Sequence, residues 1–540
     1  MQPVLNVADV RQVEEALTGV GVSLSELMRR AGSAAAQEVA RMDDVSSVVI
    51  LVGMGNNGGD GWVAAERLMG QDIAVTVVTP VAPERIESNL AHVVAVNAQR
   101  AGVPIEIAPP RERLEELLSE ADIIVDALLG TGFHGEPEPP FDIWIDCVNA
   151  SGVRVVSVDV PSGLSAQTGH APGACIMADV TVTMLSLKPG LLSDEGRDVT
   201  GAIVVAPLAE QTEGLVLEAD PVAWRVEVED YIDVMVPPLS AVDKYSRGTV
   251  LVVGGSTRYP GAAILAARAA ARAGAGYVTL AVPEPVVPIA QAHLVEIPVL
   301  GFPYDPQLGT FTADAREQLV KLATRSSAVV AGPGMTVNAS TMSVVAGLLQ
   351  SDVPLVLDAD ALNCLSQLTA GRLDSFPELL RRSSPLVLTP HRRELGRLVG
   401  KADNPPASLS EALDDARRIV WAEGGNEVCV VAKGTATACV GVDIAVLPKP
   451  GPASLATAGS GDVLSGIMGA SLARGAERFG GENLPLACAL ACEVHGYAAS
   501  IAAERLGTRG VMAMDVADAA GLALLAIAFL LSRQKSSGNK

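Results

Sequence analysis

Residues 53–61 read GMGNNGGDG, after the apolar run SVVILV and before WVAAERLMG. Gly53, Gly55 and Gly58 satisfy G-x-G-x-x-G, the spacing found where a strand turns into a helix beneath a dinucleotide pyrophosphate. A hydride-transfer site also needs an Asp or Glu about twenty residues on to grip the ribose. The next strand ends VVTPVAPE, with Thr79 and Pro80 in that place. The loop carries Asn56, Asn57 and Asp60 instead, oxygen donors suited to an alkali or alkaline-earth cation and equally ordinary turn residues. Two further strand ends bear carboxylates. DIIVDALLGTGFHGE places Asp126 before Gly130, Thr131 and Gly132, and VVSVDVPSG places Asp159 before Ser162 and Gly163. Carboxylates at the ends of apolar strands are costly to bury unless paired, metal-bound or catalytic. Asp159 also reads as a helix N-cap ahead of PSG.

A second chemistry lies in ATAGSGDVLSGIMGA, residues 456–470. Thr457, Gly459, Ser460 and Gly461 precede Asp462 where a helix should begin, so free amides and the helix dipole would favour a phosphate while the carboxylate accepts a hydroxyl proton. VVGGSTRYPGAAILAARAAARAGAGYV adds a strand, a glycine turn and a long Ala-rich helix, a ligand loop or simply close helix-strand packing. His391 follows LTP with Glu394 three on, which fits a ligand-facing helix start or a capped turn. Lys433 ends an apolar strand, placed to reach phosphate or to be solvated. His495, inside an apolar helix, reads as packed, and Cys488 and Cys492, four apart among Ala and Leu, as core rather than metal ligands.

The elements that must carry these residues alternate. VVILV, AVTVV, DIIVDAL, VRVVSVDV and DVTVTML are Val/Ile-rich runs separated by Ala-rich helical stretches, and a second series runs through GTVLVVGG, GYVTLAVP, SAVVAGPG, VPLVLDAD, SPLVLTPH and EVCVVAKG. Continuous apolar strands indicate parallel sheets covered by helices on both faces. At 540 residues the chain exceeds one core, so two α/β domains are expected. The acidic, Pro-bearing stretch GLVLEADPVAWRVEVEDYIDVMVPPLS separates them, with the boundary near residue 225, giving domains 1–225 and 226–535. The net charge of -23 disfavours nucleic acid or an anionic membrane as partner, while helix N-termini can still hold phosphate. Seven cysteines without a CxxC pair, and no charged-then-apolar leader, point to a reduced cytoplasmic setting. The C-terminal run GLALLAIAFLLS reads as a buried helix too short to span a bilayer, followed by a frayed tail, RQKSSGNK.

GMGNNGGDGWVAAERL, DALLGTGFHGE and DVPSGLSAQTG together resemble the N-terminal domain of the NAD(P)HX epimerase family over roughly residues 1–225. The resemblance implies K⁺ held by Asn57, Asp126 and Ser162. Substrate would lie along Asn56, Asn57, Gly58, Gly59 and Asp60 and along Gly130, Thr131, Gly132, Phe133, His134, Gly135 and Glu136, with Asp159 against it as the acid/base. The chain departs at LMRRAG, where Arg29 stands in place of the acidic or neutral polar residue of many relatives.

The GxGD stretch resembles the anion hole of the ribokinase-like superfamily. With AGPGMT, LDADALN, LTPHRRELGRL and VVAKGTATACV in that order, it resembles the ADP- or ATP-dependent NAD(P)HX dehydratases from about Lys244 to about residue 520. That implies hydrated NADH against Ala262, Gly334, His391 and Asp462, with Asp462 as catalytic base. The adenine nucleotide would lie on Lys433, Gly434, Thr435, Ala436, Thr437 and Gly461, with Mg²⁺ on its phosphates. The combined expectation is repair of hydrated NADH and NADPH with ADP or ATP as co-substrate, by a homo-oligomer needing neither nucleic acid nor membrane. A vitamin-type kinase and a non-catalytic nucleotide sensor or scaffold stand as alternatives.

Overall fold

A computed structural model describes residues 1–235, 243–375, 382–423, 427–475 and 483–537. The chain divides into two compact units, residues 2–222 with 408–410, and residues 223–407 and 411–540 with Met1.

The first unit opens with a short strand, β1 (Gln2–Val4), bridged to Leu187. Its sheet comprises β2 (Ser47–Val52), β3 (Ala74–Thr79), β4 (Ile105–Ile107), β5 (Ile123–Ala127), β6 (Arg154–Val158), β7 (Val180–Met184) and β8 (Ala202–Ala206), in the order β4-β3-β2-β5-β6-β7-β8. Every pairing is parallel. The sheet is buried on both faces because consecutive residues feed different cores. Val48, Ile50 and Val52 pack with Ala35, Trp62 and Leu68, whereas Val49 and Leu51 pack with Leu118, Ile124 and Trp144. The strand order reverses between β2 and β5, so a crevice opens beyond their carboxyl ends. The two polar loops begin there.

The second unit holds β9 (Ala223–Arg225), β10 (Thr249–Val253), β11 (Tyr277–Pro283), β12 (Val299–Phe302), the hairpin β13 (Tyr304–Asp305) and β14 (Thr310–Phe311), β15 (Ala328–Ala331), β16 (Leu355–Leu357), β17 (Leu386–Leu388), β18 (Val428–Ala432), β19 (Ala438–Val440) and β20 (Ala445–Leu447). From β9 the main sheet runs β20-β19-β18-β17-β16-β15-β10-β11-β12. Pairings from β18 to β12 are parallel, as the apolar runs predict, but β18-β19 and β19-β20 are antiparallel. β19 and β20 are only three residues long, too short to register as periodic runs. The helices Pro260–Arg272 and Ser460–Gly475 pack closely, since Gly466 lies against the Ala266 carbonyl and Ala263, Ala266, Ala267, Ala269 and Ala270 are buried. Small side chains permit that approach.

The C-terminal expectation needs correction. The run GLALLAIAFLLS belongs to a helix of 25 residues, Ala513–Ser537, which absorbs most of the supposed frayed tail, and residues 538–540 lie outside the described residues. By length and composition this helix and Asn483–Leu506 could each cross a bilayer, but 67% of the apolar window of Asn483–Leu506 is buried within the protein. The equivalent figure for the last helix is 39%, and Leu522, Leu525 and Phe529 are exposed, so it is buried on one face only.

Gly58 sits in the first turn of the helix Asn56–Met69, where an added Cβ would overlap the Gly53 carbonyl oxygen. The backbone, not a flexible side chain, would have to move. Gly58→Ala is expected to lower stability by about 1–3 kcal/mol, read as a lower denaturant midpoint from the fluorescence of buried Trp62 and Trp144.

Candidate functional sites

In the first unit the crevice is a cavity of about 560 Å³. Asn56, Asn57 and Asp60 line it from the end of β2, Gly130, Thr131, Gly132 and Phe133 from the end of β5, and Asp159 from the end of β6. Glu14 and Arg11 enter from the helix Val7–Gly19, and Leu27, Met28 and Ala31 give an apolar wall. His134 and Gly135 line a smaller neighbouring cavity of about 200 Å³ with Ser165, Thr168 and His170. Glu136 is exposed beside Gly173. Gly58 and Gly59 are buried beneath the cavity wall, Gly59 against Met28, and support the loop. Arg29 points elsewhere and pairs with Glu26 on its own helix.

Asp159 is held firmly. Its φ of +67°, costly for a residue with a side chain, aims the carboxylate into the cavity. Lys188, fully buried, reaches it at 2.7 Å and also donates to Thr183 Oγ1 at 2.7 Å and to the Met184 carbonyl at 2.9 Å. The Thr131 amide donates to the other carboxylate oxygen at 3.4 Å. Sequence reasoning missed Lys188. It follows the apolar strand DVTVTML in SLKPG, the strand-end position that singled out Lys433. Glu14 was missed as well: burial first, then the Asp159 charge, raises its carboxyl above the usual range. Burial raises Asp60 well above that range, and the charges of Asp159 and Glu14 push the same way.

Asp126 is completely buried. It faces Ser157 across the β5-β6 register, accepts that hydroxyl at 2.8 Å, and accepts Ser162 through its hydroxyl at 2.5 Å and its amide at 2.9 Å. Burial still raises its pKa against these donors, so the carboxylate lacks a full countercharge. The Ser162 hydroxyl accepts the Leu129 amide at 2.9 Å, and a Cβ at Gly130 would lie 3.1 Å from the Asn57 Cβ, which ties Asn57, Asp126 and Ser162 to one loop. Asn57 Nδ2 is buried with no acceptor. Turned about χ2, that amide would offer its oxygen instead. An oxygen-only donor set around an undercompensated carboxylate fits a hard alkali or alkaline-earth cation.

In the second unit the turn Gly254–Gly255 meets the loop after β15, with the Gly255 amide donating to the Pro333 carbonyl at 2.8 Å. A Cβ at Gly334 would lie 3.1 Å from the Ala262 Cβ. Ala262 is partly exposed there whereas Ala263 is buried, so Ala262 is the one facing outward. The helix Ser460–Gly475 begins at the GxGD stretch, with Gly459 at φ +87° turning the chain and Asp462 in the first turn. Lys433 at the end of β18 converges on it, since a Cβ at Gly461 would lie 3.5 Å from Lys433 Nζ. Lys433 pairs with buried Asp358 at 2.7 Å, and Asp358 also accepts Thr389 Oγ1 at 2.7 Å. Asp358 comes from LDADALN, whose acids sequence reasoning quoted without a role.

His391 caps the helix Arg392–Leu398, its Nδ1 accepting the amides of Arg393 and Glu394, and stands beside Lys433 through a parallel bridge. Burial, then the Lys433 and Arg397 charges, lowers its pKa. Gly434 and Thr437 close a tight turn after Lys433, the Thr437 hydroxyl donating to the Gly434 carbonyl at 3.0 Å, and Thr435 and Ala436 form its tip. His495 is buried, lies 3.2 Å from the Ser460 hydroxyl, and is pushed down to about 4 by burial and then by Lys433.

Two carboxyls near Lys433, Asp462 and Glu394, are strongly perturbed. Burial first, then Asp358, raises Asp462 to about 7, with Lys433 opposing and Asp360 adding to the rise. Glu394 also reaches about 7, chiefly through burial. Lys433 stays above its ordinary pKa because Asp358, Glu394 and Asp462 outweigh burial. A carboxyl poised near 7 beside free helix amides suits a base facing a phosphorylated or phosphorylatable hydroxyl.

Residues 24–190 match the family model described as YjeF-related protein N-terminus, and residues 250–521 match the model described as NAD(P)H-hydrate dehydratase. A bifunctional NAD(P)H-hydrate repair enzyme of Hyperthermus butylicus is 34% identical over 92% of this chain and 87% of its own. Its counterpart in Coxiella burnetii is 33% identical over 94% and 96%. A solved ADP/ATP-dependent NAD(P)H-hydrate dehydratase of Bacillus subtilis, co-crystallised with ATP and Mg²⁺, is 25% identical, covering 55% of this chain and 97% of its own with a TM-score of 0.43.

The raised Asp462 pKa has a stability consequence. Between the ordinary aspartate value of 3.8 and about 7 the unfolded chain has released this proton while the folded chain keeps it, so stability falls as pH rises through that window and the cost persists above it. Asp462→Asn is therefore expected to raise the Tm at pH 8 relative to wild type, with the difference shrinking toward pH 4 in thermal melts. An equal or lower Tm at pH 8 would contradict the assigned electrostatics.

Proposed function

This chain belongs to the family of bifunctional NAD(P)H-hydrate repair enzymes, and from that membership we propose a division of labour between its residues. The first unit is the epimerase, interconverting the R and S forms of hydrated NADH and NADPH in the cavity closed by Asp159. The second is the dehydratase, returning the S form to NAD(P)H at the expense of ADP or ATP. The observation that carries this reading is the convergence of Lys433, Gly461 and Asp462, from separate strand and helix ends, on one helix N-terminus.

In the dehydratase, Asp462 accepts the proton of the C6 hydroxyl as that oxygen takes a phosphoryl group. Lys433 and the amides around Gly461 hold the nucleotide phosphates, with the Gly434–Thr437 turn beside them. His391, Ala262 and Gly334 position the hydrated ring. The lone pair of the ring nitrogen then expels phosphate as an N1=C6 double bond forms, and loss of a proton from C5 to solvent gives the C5=C6 bond, returns the electron pair to N1 and restores the dihydropyridine. Asp358, Asp360 and Asp462 share one lysine charge, which fits a nucleotide arriving with Mg²⁺, whose role is to neutralise phosphate charge. ADP is the proposed co-substrate, with ATP the alternative.

In the epimerase, Asp159 exchanges protons at the C6 hydroxyl while Lys188 keeps it oriented. Asn56, Asn57 and Asp60 with Gly130–Phe133 hold the nucleotide. Asn57, Asp126 and Ser162 would hold K⁺, which supplies a fixed positive charge for phosphate or hydroxyl oxygens. The proposal includes a homo-oligomer, supported by the exposed Leu522, Leu525 and Phe529, and a cytoplasmic setting, supported by seven free cysteines.

Chemically prepared hydrated NADH, as mixed epimers, tests the division by recovery of reduced-nicotinamide absorbance with and without ADP or ATP. Asp462→Asn is expected to abolish nucleotide-dependent recovery and retain epimer exchange. Asp159→Asn is expected to recover one epimer rapidly and leave the other to its spontaneous rate. Identical behaviour of the two variants would end the division of labour, and absence of nucleotide-dependent recovery in wild type would end the dehydratase reading.

A further inference from the structure

The cavity of the first unit holds three carboxyl groups, Glu14, Asp60 and Asp159, around one buried lysine. Only Asp159 is paired, to Lys188 at 2.7 Å. No hydrogen bond or ion pair holds the Asp60 carboxyl among the described residues, although it lies in the second turn of the helix Asn56–Met69 and lines the cavity. The groups facing it are Glu14 and Arg11 from the helix Val7–Gly19, Asp159 after β6 and, behind Asp159, Lys188 after β7. The helix Leu24–Ala40 presents only Leu24, Leu27, Met28 and Ala31, and its Arg29 and Arg30 are paired to Glu26. Burial and the charges of Asp159 and Glu14 favour the neutral form of Asp60, whereas Asp159 is ion-paired to Lys188 at 2.7 Å. An unpaired carboxyl and a lysine-paired carboxylate lining one cavity are placed to act as acid and base.

We propose that Asp60 is a second catalytic residue of the epimerase, its carboxylic acid protonating the departing C6 hydroxyl of hydrated NADH while the Asp159 carboxylate takes a proton from the water that re-adds. This inference rests on the epimerase reading above. The O–H bond of Asp60 breaks and a new one forms on the C6 oxygen. The C6–O bond then breaks, water leaves, and the N1 lone pair closes an N1=C6 double bond. Water forms a new C6–O bond on either face, that electron pair returns to N1, and Asp159 accepts the surplus proton. The net change is inversion at C6 and one proton moved from Asp60 to Asp159. Return of that proton through solvent, or a next turnover with the roles exchanged, resets the site without oxidant or reductant.

The test uses the full chain without ADP or ATP, the R epimer as substrate and chromatographic detection of the S epimer in H₂¹⁸O. Wild type is expected to place ¹⁸O at C6 at the rate of epimer exchange and to lose kcat as pH rises through the titration of Asp60. Asp60→Asn is expected to lower kcat by ~100-fold or more with KM changed by less than about threefold and the high-pH loss absent, and Asp60→Glu to restore part of kcat. Exchange in wild type without ¹⁸O incorporation overturns the proposal whether or not the variants fold. So does an Asp60→Asn variant that keeps wild-type kcat and pH profile. If wild type itself exchanges epimers no faster than buffer, the epimerase reading fails and this inference with it; exchange by wild type that Asp159→Asn loses and Asp60→Asn keeps leaves that reading standing and removes only Asp60.

Discussion

One lysine charge shared among several buried carboxyls is the constraint on which both sites depend. In each unit a lysine at the end of a parallel strand pairs with an aspartate at 2.7 Å, Lys188 with Asp159 and Lys433 with Asp358. The parallel sheets make this arrangement possible. Their strands are apolar throughout, so polar groups collect where the strands end, and the crevice at each reversal of strand order leaves room for a ligand. Desolvation then makes every unpaired charge there expensive. A lysine pairs with one neighbour, and burial shifts the remaining carboxyls toward their neutral forms, as at Asp60, Glu14, Glu394 and Asp462.

Backbone conformation is subordinate to the same demand. Asp159 at φ +67° and Ala359, between Asp358 and Asp360, at φ +50° occupy a region that side chains disfavour. Both strained residues lie at or beside an aspartate that a lysine engages. Asp159 accepts from Lys188 and from the Thr131 amide, and Lys188 is itself fixed by Thr183 and the Met184 carbonyl, so the position of Asp159 is over-determined, which is the condition under which strain persists. Glycines act at the opposite extreme. Gly58 lets backbone approach the Gly53 carbonyl in the first turn of one helix, and Gly459, at φ +87°, turns the chain into the other with Leu265 and Ala513 packed against it.

Much of this was legible in the sequence because strand ends announce themselves. Val/Ile runs stop at a polar residue, and of the residues singled out there Asp159 lines the first unit's cavity, Asp126 is buried against Ser157 and Ser162, and Lys433 and the acid of GxGD come together at one helix start. The same rule applied to SLKPG would have found Lys188, but nothing in a strand's own pattern says which neighbouring strand will present a carboxylate. Glu14 was out of reach for a related reason: it lies on an ordinary amphipathic helix, and only packing against the sheet brings it near Asp159. The short strands β19 and β20 escaped because three residues carry no period. The last helix was misjudged in extent because its apolar run was measured without the flanking residues that continue it.

The two sites solve one chemical problem in opposite directions. A hydroxyl is a poor leaving group, and it can be improved by adding a proton or by adding a phosphoryl group. Protonation calls for a carboxyl whose neutral form is favoured, and at Asp60, the proposed acid, burial first and then the charges of Asp159 and Glu14 act in that direction. Phosphorylation calls for a carboxylate that can take the hydroxyl proton, and at Asp462, the proposed base, burial and then Asp358 raise the pKa to about 7 while Lys433, although paired to Asp358, limits that rise. The difference lies in how much of the lysine's field the second carboxyl feels. A nucleotide phosphate beside Lys433 would use up that field and leave Asp462 more basic at the moment it must accept a proton, so binding of the co-substrate itself strengthens the base.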